Sequence, residues 1–292
     1  MQVINHRKIY FFISIVLVLS SLFSLLVWGL KLGIDFTGGS LVEVEFLLER
    51  PTNQQIQERL SDLELGQINI QSTGDRGVIL RLKEIDENIH QEILGKLGIS
   101  DEKRFESIGP LIGQELKTKA IWAIGLSLLF IVLYIAWVFR KVSRPVVSWQ
   151  YGIVAIIALF HDIFITFGFF AVLCHFKEIE IGLPFVAALL TILGYSVNNS
   201  IVIFDRVREN ILKTNWNDFG ELINKSINES LTRCLNTSLT TLIVLLAIFF
   251  LGGQSIKYFS LALMVGIVIG TYSSIFVTSP LVFFWYSRKR KN

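Results

Sequence analysis

The stretch LGYSVNNSIVIFDRVREN, residues 193–210, begins as membrane-grade apolar sequence and ends in charge. The run that leads into it, residues 184–204, holds 21 residues without a charged side chain. At about 1.5 Å per residue such a run crosses the roughly 30 Å hydrocarbon core of a bilayer, so it reads as a membrane-spanning helix. The half nearer Asp205 nevertheless carries Ser196, Asn198, Asn199 and Ser200. Lipid offers these side chains no hydrogen bonds, so they must face other helices or a wet cavity. At a helical repeat Ser196, Asn199 and Arg206 share one face, with Asn198 and Asp205 on an adjacent one. A polar stripe running from mid-bilayer to the water edge has the shape of an ion relay.

Working outward, the whole chain is built for a membrane. It is 52% hydrophobic and 17% charged, against about 25% charged residues in an ordinary soluble domain. Uncharged runs of suitable length predict six spans, at residues 9–30, 120–139, 146–173, 184–204, 235–251 and 259–285, and Asp162 is the one charge inside them. The first run, some 22 residues long, exceeds the roughly 7–15 of a signal-peptide core and has no small-x-small cleavage site after it, so it is expected to stay as an anchor. Lys and Arg set the orientation. Residues 1–8 carry two, 140–144 three, 205–234 five and 286–292 four, whereas loops 174–183 and 252–258 carry one each. Fourteen against two predicts cytoplasmic termini, a cytoplasmic loop 205–234 and residues 31–118 outside. The net charge of +3 thus reports topology, and no nucleic-acid partner is expected. Cys174 and Cys234 fall at opposite ends of their spans and cannot pair.

The expected domains are residues 1–30 (terminus and first span), 31–118 (outer domain) and 119–292 (five further spans). The outer domain opens with GIDFTGG, residues 33–39, and the alternating SLVEVEFL. Gly33, Gly38 and Gly39 allow a tight exit from the bilayer into a strand, with Asp35 inside the turn; neither GK[ST] nor GxGxxG follows, which excludes a phosphate cradle. Thr52 and Gln55 have capping-box spacing ahead of Ile56, Leu60 and Leu63. Two alternating runs, 67–71 and 77–83, a helix from Asp86 through Leu97 and a strand near 103–108 complete a βαββαβ order. That order predicts an α+β, ferredoxin-like domain. His90 is expected to be a solvated residue on a polar helix, and no His/Cys/Asp/Glu set has metal spacing.

In the membrane part, His161 and Asp162 sit mid-span, where a carboxylate costs about 2.5–3.5 kcal/mol on insertion scales. The pair reads either as helix-gluing hydrogen bonds or as a proton or ion site. Trp216, Phe219, Leu222, Ile223, Ile227 and Leu231 recur at helical steps and predict an amphipathic helix on the cytoplasmic surface. Ala262, Gly266, Gly270 and Ser274 form a four-residue stripe that predicts close helix packing.

Four motifs, in this order, give the chain its resemblance: GIDFTGG after the first span, HD at 161–162, GYSVNNSIVIFDRVREN at 194–210 and RCLNTSLTT at 233–241. Together they resemble the SecD/SecF family of bacterial protein export, within the resistance-nodulation-division superfamily. The resemblance implies a six-helix half of a twelve-helix bundle in the bacterial plasma (inner) membrane, completed by a SecD-like subunit beside the Sec channel. It implies that proton or sodium flow moves the outer domains to draw the emerging polypeptide across, with no cofactor beyond that ion. The family pattern in the fourth span is GYSxND, its Asp acting in ion coupling near an Arg that Arg233 matches. Here Asn199 stands in the Asp position. Asn does not exchange a proton near neutral pH, which leaves it a hydrogen bond to Arg233 or a carbonyl oxygen for Na⁺. Three readings follow: an ion-driven export subunit, a scaffold whose partner does the ion coupling, and a half-size exporter of lipids or drugs, for which about 85 outer residues leave little cavity. No nucleophile and base set suggests an enzyme.

Overall fold

The computed structural model describes residues 1–98, 101–138, 148–177, 179–213 and 216–291. The basic stretch 140–144, used above for orientation, lies outside them. The chain divides into two compact units. One comprises Met1–Leu30, Trp122–Lys177 and Leu183–Asn292; the other comprises Lys31–Ile121 and Glu178–Gly182.

The first unit is a helix bundle. Its helices are α1 (Arg7–Trp28), α5 (Pro110–Val138, entering from the other unit), α6 (Ser148–Lys177), α7 (Leu183–Lys213), α8 (Phe219–Leu251), α9 (Gln254–Ser273) and α10 (Ser279–Lys291). A π-helical turn, Ser274–Thr278, joins α9 and α10 into one span. Pro280 explains that turn. Its ring lacks an N–H and crowds the carbonyl four residues back, so the backbone widens to avoid it. Six helices among the described residues are long and apolar enough to cross a membrane. Between them, glycines set the closest approaches. A Cβ on Gly168 of α6 would lie 2.4 Å from the Cα of Ser21 on α1, and one on Gly266 of α9 would lie 2.3 Å from the Ile192 side chain of α7.

One expectation is corrected. The apolar stripe does form a helix from Phe219 onward, but this helix does not end before the fifth span: α8 runs unbroken for 33 residues. Neither Gly nor Pro occurs between Gly220 and Gly252, so nothing stops the helix. At about 1.5 Å per residue it is about 50 Å long, more than a bilayer core needs. Phe219, Leu222, Ile223 and Ile227 are buried among Phe204, Val207 and Val282, so the stripe caps the end of the bundle's core.

The second unit is the ferredoxin-like domain. It contains a short helix α2 (Ile34–Thr37), then β1 (Gly39–Glu45), α3 (Asn53–Arg59), β2 (Asn69–Thr73), β3 (Gly77–Leu82), α4 (Glu87–Leu97) and β4 (Asp101–Ile108). The sheet order is β2-β3-β1-β4, antiparallel throughout. Thr52 and Gln55 form both halves of the capping box, Asp86 caps α4 through the Ile89 amide at 2.9 Å, and Gly98 ends α4 in the left-handed region. Val42, Val44, Ile56, Leu60, Val78, Leu80 and Ile93 form the core.

His90 corrects a second expectation. It is buried on α4, its ring stacks on Phe105 at 3.8 Å, and its two nitrogens meet Glu87 at 3.3 Å and Glu102 at 2.9 Å. The reason is a β-bulge. β1 pairs Glu43 with Arg104 but Val44 with Glu102, so Lys103 is left over and Glu102 comes round to the face that Phe105 shares.

Candidate functional site

The bundle closes over Asp162. The residue is fully buried on α6. Its Oδ2 accepts the Ser196 hydroxyl of α7 at 2.5 Å and the Ser273 hydroxyl of α9 at 2.8 Å, while Oδ1 meets His161 Nδ1 at 2.9 Å. A carboxylate taken out of water must regain the donors it lost. Here three helices supply them. The small-residue stripe is what brings two of them within reach: Gly266 and Gly270 let α9 lie against α7, and a Cβ on Gly270 would lie 3.1 Å from the Ser196 Cβ. Ala262 and Ser274, the other members of the stripe, are buried as well. His161 is buried beside Tyr272, ring centroids 6.3 Å apart, and its Nε2 has no hydrogen-bond partner among the described residues.

A second polar chain lies in the same bundle. The Asn199 amide donates to Thr271 Oγ1 at 3.4 Å, Thr271 and Ser238 share a hydroxyl contact of 2.6 Å, and Tyr195 donates to Ser238 at 3.2 Å. Ser200 and Ser274 meet at 3.0 Å at the start of the π-helical turn. Toward the charged end of α7, Arg206 pairs with Glu209 at 2.7 Å and Glu229 at 3.4 Å. Asn199 therefore turns to Thr271 and away from Arg233. Ser238 is the α8 residue facing this cluster, and Arg233, five residues earlier, points about 140° round the helix. Arg233 is exposed, as are Asn236, Thr237 and Thr240 on α8 and Asn198 on α7. The predicted relay is thus split: Asp162, His161, Ser196 and Asn199 are enclosed, whereas Asn198 and Arg233 face outward.

Chemically, the enclosed group can hold one proton or one small cation. A hydroxyl donates to a carboxylate, yet it can rotate and offer its lone pairs to a metal ion. Sequence reasoning missed Ser273, Thr271 and Gly168, and met Ser238 only within the motif RCLNTSLTT. The polar run Thr271-Tyr272-Ser273-Ser274 inside a span was the available signal for two of them.

The glycine turn has its own geometry. Gly38 and Gly39 have φ of +75° and +120°, and a Cβ on either would meet backbone, Pro110 at 2.6 Å or the Leu82 carbonyl at 2.7 Å. Two facts forbid a side chain there. Asp35 stands in the one-turn helix α2 and acts electrostatically on Arg104, whose guanidinium is held above its ordinary range chiefly by its hydrogen bonds to Glu106.

Six helices of membrane-spanning length, an α+β domain entered through a glycine pair and a buried carboxylate on one of those helices define a polytopic α-helical membrane protein that carries a ferredoxin-like domain. Residues 91–288 match the family described as protein export membrane protein SecD/SecF, C-terminal, and residues 23–46 match the SecD/SecF GG motif. The chain belongs to the SecD/SecF family. It is 40% identical to the protein translocase subunit SecF of Thermobaculum terrenum over 98% of this chain and 94% of that one. Identity to the Vibrio alginolyticus subunit of that name is 41%, over 94% and 86%. Among solved structures, SecDF of Thermus thermophilus, described as a translocon-associated membrane protein, superposes with a TM-score of 0.84 at 33% identity. SecDF in a super-membrane-facing form gives 0.70 at 32%. This chain is covered over 99% and 100% of its length and spans 39% of each SecDF chain.

Proposed function

We propose that this chain is an auxiliary subunit of the Sec protein-export machinery that pairs with a SecD-like subunit and uses an ion gradient to promote polypeptide translocation across the plasma membrane. In this reading the termini are cytoplasmic, residues 31–118 project outside, and residues 119–292 carry the remaining spans with the cytoplasmic loop 205–234. The observation that carries it is Asp162: a fully buried carboxylate held by donors from three helices. Intramembrane acids are costly and mark ion pathways. Repacking three helices is what a change of charge at such a point does, because every donor it holds must find a new acceptor. The coupling ion is H⁺ or Na⁺. The partner reading rests on the outward-facing Asn198, Arg233 and Asn236, which lipid cannot satisfy but a second protein can; the Thr237 and Thr240 hydroxyls beside them donate to carbonyls of their own helix.

One charge crossing 100 mV releases about 2.3 kcal/mol, enough to bias a two-state rearrangement by some fifty-fold. The test is export into vesicles containing this chain, its SecD-like partner and the Sec channel, with and without an imposed gradient. Asp162→Asn is expected to remove most of the gradient stimulation at unchanged protein level. Full stimulation in that variant would end the reading. Asn199 favours a second one, in which this subunit is a scaffold and the partner alone couples ions. Loss of stimulation on removing the partner's mid-span acid, with Asp162→Asn active, would select it.

A further inference from the structure

The connection between α6 and α7 counted in the sequence only as a loop poor in Lys and Arg, yet it is built into the ferredoxin-like unit. Its residues 179–182 group with the ferredoxin-like domain. Ile181 forms a parallel bridge with Leu32, with Gly33 N to Ile181 O and Ile181 N to Lys31 O each at 2.9 Å. Gly33 has little space to spare, since a Cβ there would lie 3.4 Å from the Ile181 carbonyl and 3.6 Å from Glu180 Oε2. Beside this bridge, Glu180 Oε2 meets Arg81 Nε at 2.9 Å, the two side chains only 17% and 14% exposed. Arg81 also donates to Gln71 Oε1 at 2.8 Å, which fixes its guanidinium over β2 and β3.

This ion pair differs from the others among the described residues. Those outside the helix bundle join exposed or half-exposed groups, save the two contacts of buried His90, and pairs of that kind hold geometry weakly. The Arg81–Glu180 pair is enclosed. Burial pushes the Glu180 carboxyl up, and Arg81 and then Lys31 oppose the rise. An enclosed pair is poorly screened, directional and expensive to break by removing one partner. It serves fixed geometry better than net stability. The segment it fixes is the chain between the helix that carries Asp162 and the helix that carries Ser196.

We propose that Arg81 and Glu180 are the coupling residues of this subunit: with the Leu32–Ile181 bridge they bolt the α6–α7 connection to the outer sheet, so that a shift of α6 against α7 is delivered to the sheet as rigid movement. This rests on the function proposed above. Without the bolt, the connection still reaches from α6 to α7, but it bends and absorbs the shift. Neither residue contacts the ion; both act by position.

The experiment uses the full chain with its partner and channel in vesicles, measuring export with and without the gradient, for Glu180→Gln, Arg81→Gln, the exchanged pair Arg81→Glu with Glu180→Arg, and Asp162→Asn. Each single change is expected to lower gradient stimulation about fivefold, the low end of typical coupling between linked sites. Gradient-independent export and recovery of the complex stay at wild-type level, and the exchanged pair regains at least half of the stimulation. If the single changes keep full stimulation while Asp162→Asn loses it, the bolt is wrong and the ion site stands. If Asp162→Asn keeps it as well, the function proposed above is what fails. Equal loss of gradient-dependent and gradient-independent export would make the pair merely structural and overturn the proposal.

Discussion

The membrane unit has two polar faces that obey the same rule by different means. Around Asp162 every polar group but one, His161 Nε2, finds a partner inside the chain, and glycines bring the helices close enough for that. Along the outer side of α7 and α8, Asn198, Arg233, Asn236, Thr237 and Thr240 stand exposed. In water the second face would be ordinary. In a bilayer Asn198, Arg233 and Asn236 would be costly to leave in lipid, so in the function proposed above a second protein or water at the membrane edge meets them, whereas the Thr237 and Thr240 hydroxyls already donate to carbonyls of α8. Closed and open polarity thus separate the groups that the chain satisfies by itself from those that it leaves to its surroundings.

Glycine substitutions probe this difference hardest. Gly168→Leu drives a side chain into the backbone of Ser21, which cannot yield as a flexible side chain can. Overpacking of this kind costs about 1–3 kcal/mol or more, and the expected result is little or no folded subunit in detergent. Gly194, four residues before Asn198, has nothing within 4 Å of an added Cβ. Gly194→Leu should leave the isolated subunit's melting temperature unchanged or slightly higher, since Gly costs a helix up to about 1 kcal/mol, and should reduce recovery of the partner in a pull-down. Equal damage from both changes would dissolve the distinction between the faces.

Next in size is Asp162→Ala. It strands the donors of Ser196, Ser273 and His161, at about 1–3 kcal/mol for each group that finds no new acceptor. The thermal midpoint of the isolated subunit should fall, and Ser273→Ala alone should lower it by less than half as much. A midpoint unchanged in Asp162→Ala would mean that water already reaches the cluster.

What the sequence made legible divides along similar lines. Period and caps gave the outer domain: alternation placed the strands within two residues, and Thr52, Gln55 and Asp86 marked helix starts where the chain turns. Asp162 was legible because charge inside an apolar run has no other excuse. Contacts between distant segments were not. His90 looked solvated because only a bulge at Lys103, which no periodicity signals, turns Glu102 toward it. The fusion of the residue 219–231 stripe with the fifth span was hidden by its change from polar to apolar composition, although the missing Gly and Pro announced it. The family pattern left the Asn199 side chain either Arg233 or Na⁺ as its partner, but helical angle gives its amide Thr271.

Asn199→Asp tests that last point with a smaller expected effect. The amide donates one long bond of 3.4 Å, worth about 1 kcal/mol at most, and the Thr271 hydroxyl can reverse and donate to a carboxylate instead. The folded subunit should be recovered at normal yield, and gradient stimulation in vesicles should stay level or rise with a second ionisable group in the closed face. Abolished export would mean that the cluster tolerates one carboxylate and no more.

Arg233→Gln is expected to change the isolated subunit least of all. The guanidinium is exposed on α8 and makes no ion pair among the described residues, so its removal takes no contact from the fold and surface changes of this kind stay within about 0.5 kcal/mol. Asn199, whose hydrogen bond to it was one of two expectations, is enclosed and neutral. A cation at this depth that lipid surrounded would carry the full cost of a charged group in hydrocarbon, so it must reach water at the membrane edge or meet an acid on another chain. The two choices separate cleanly. If a partner acid meets it, Arg233→Gln weakens recovery of the SecD-like subunit while leaving the melting curve of the isolated chain intact, and a compensating neutral residue in the partner restores recovery. If water meets it, both measurements stay at wild-type values, the open face loses its one charged contact, and Asn198 and Asn236 must hold the partner by hydrogen bonds alone.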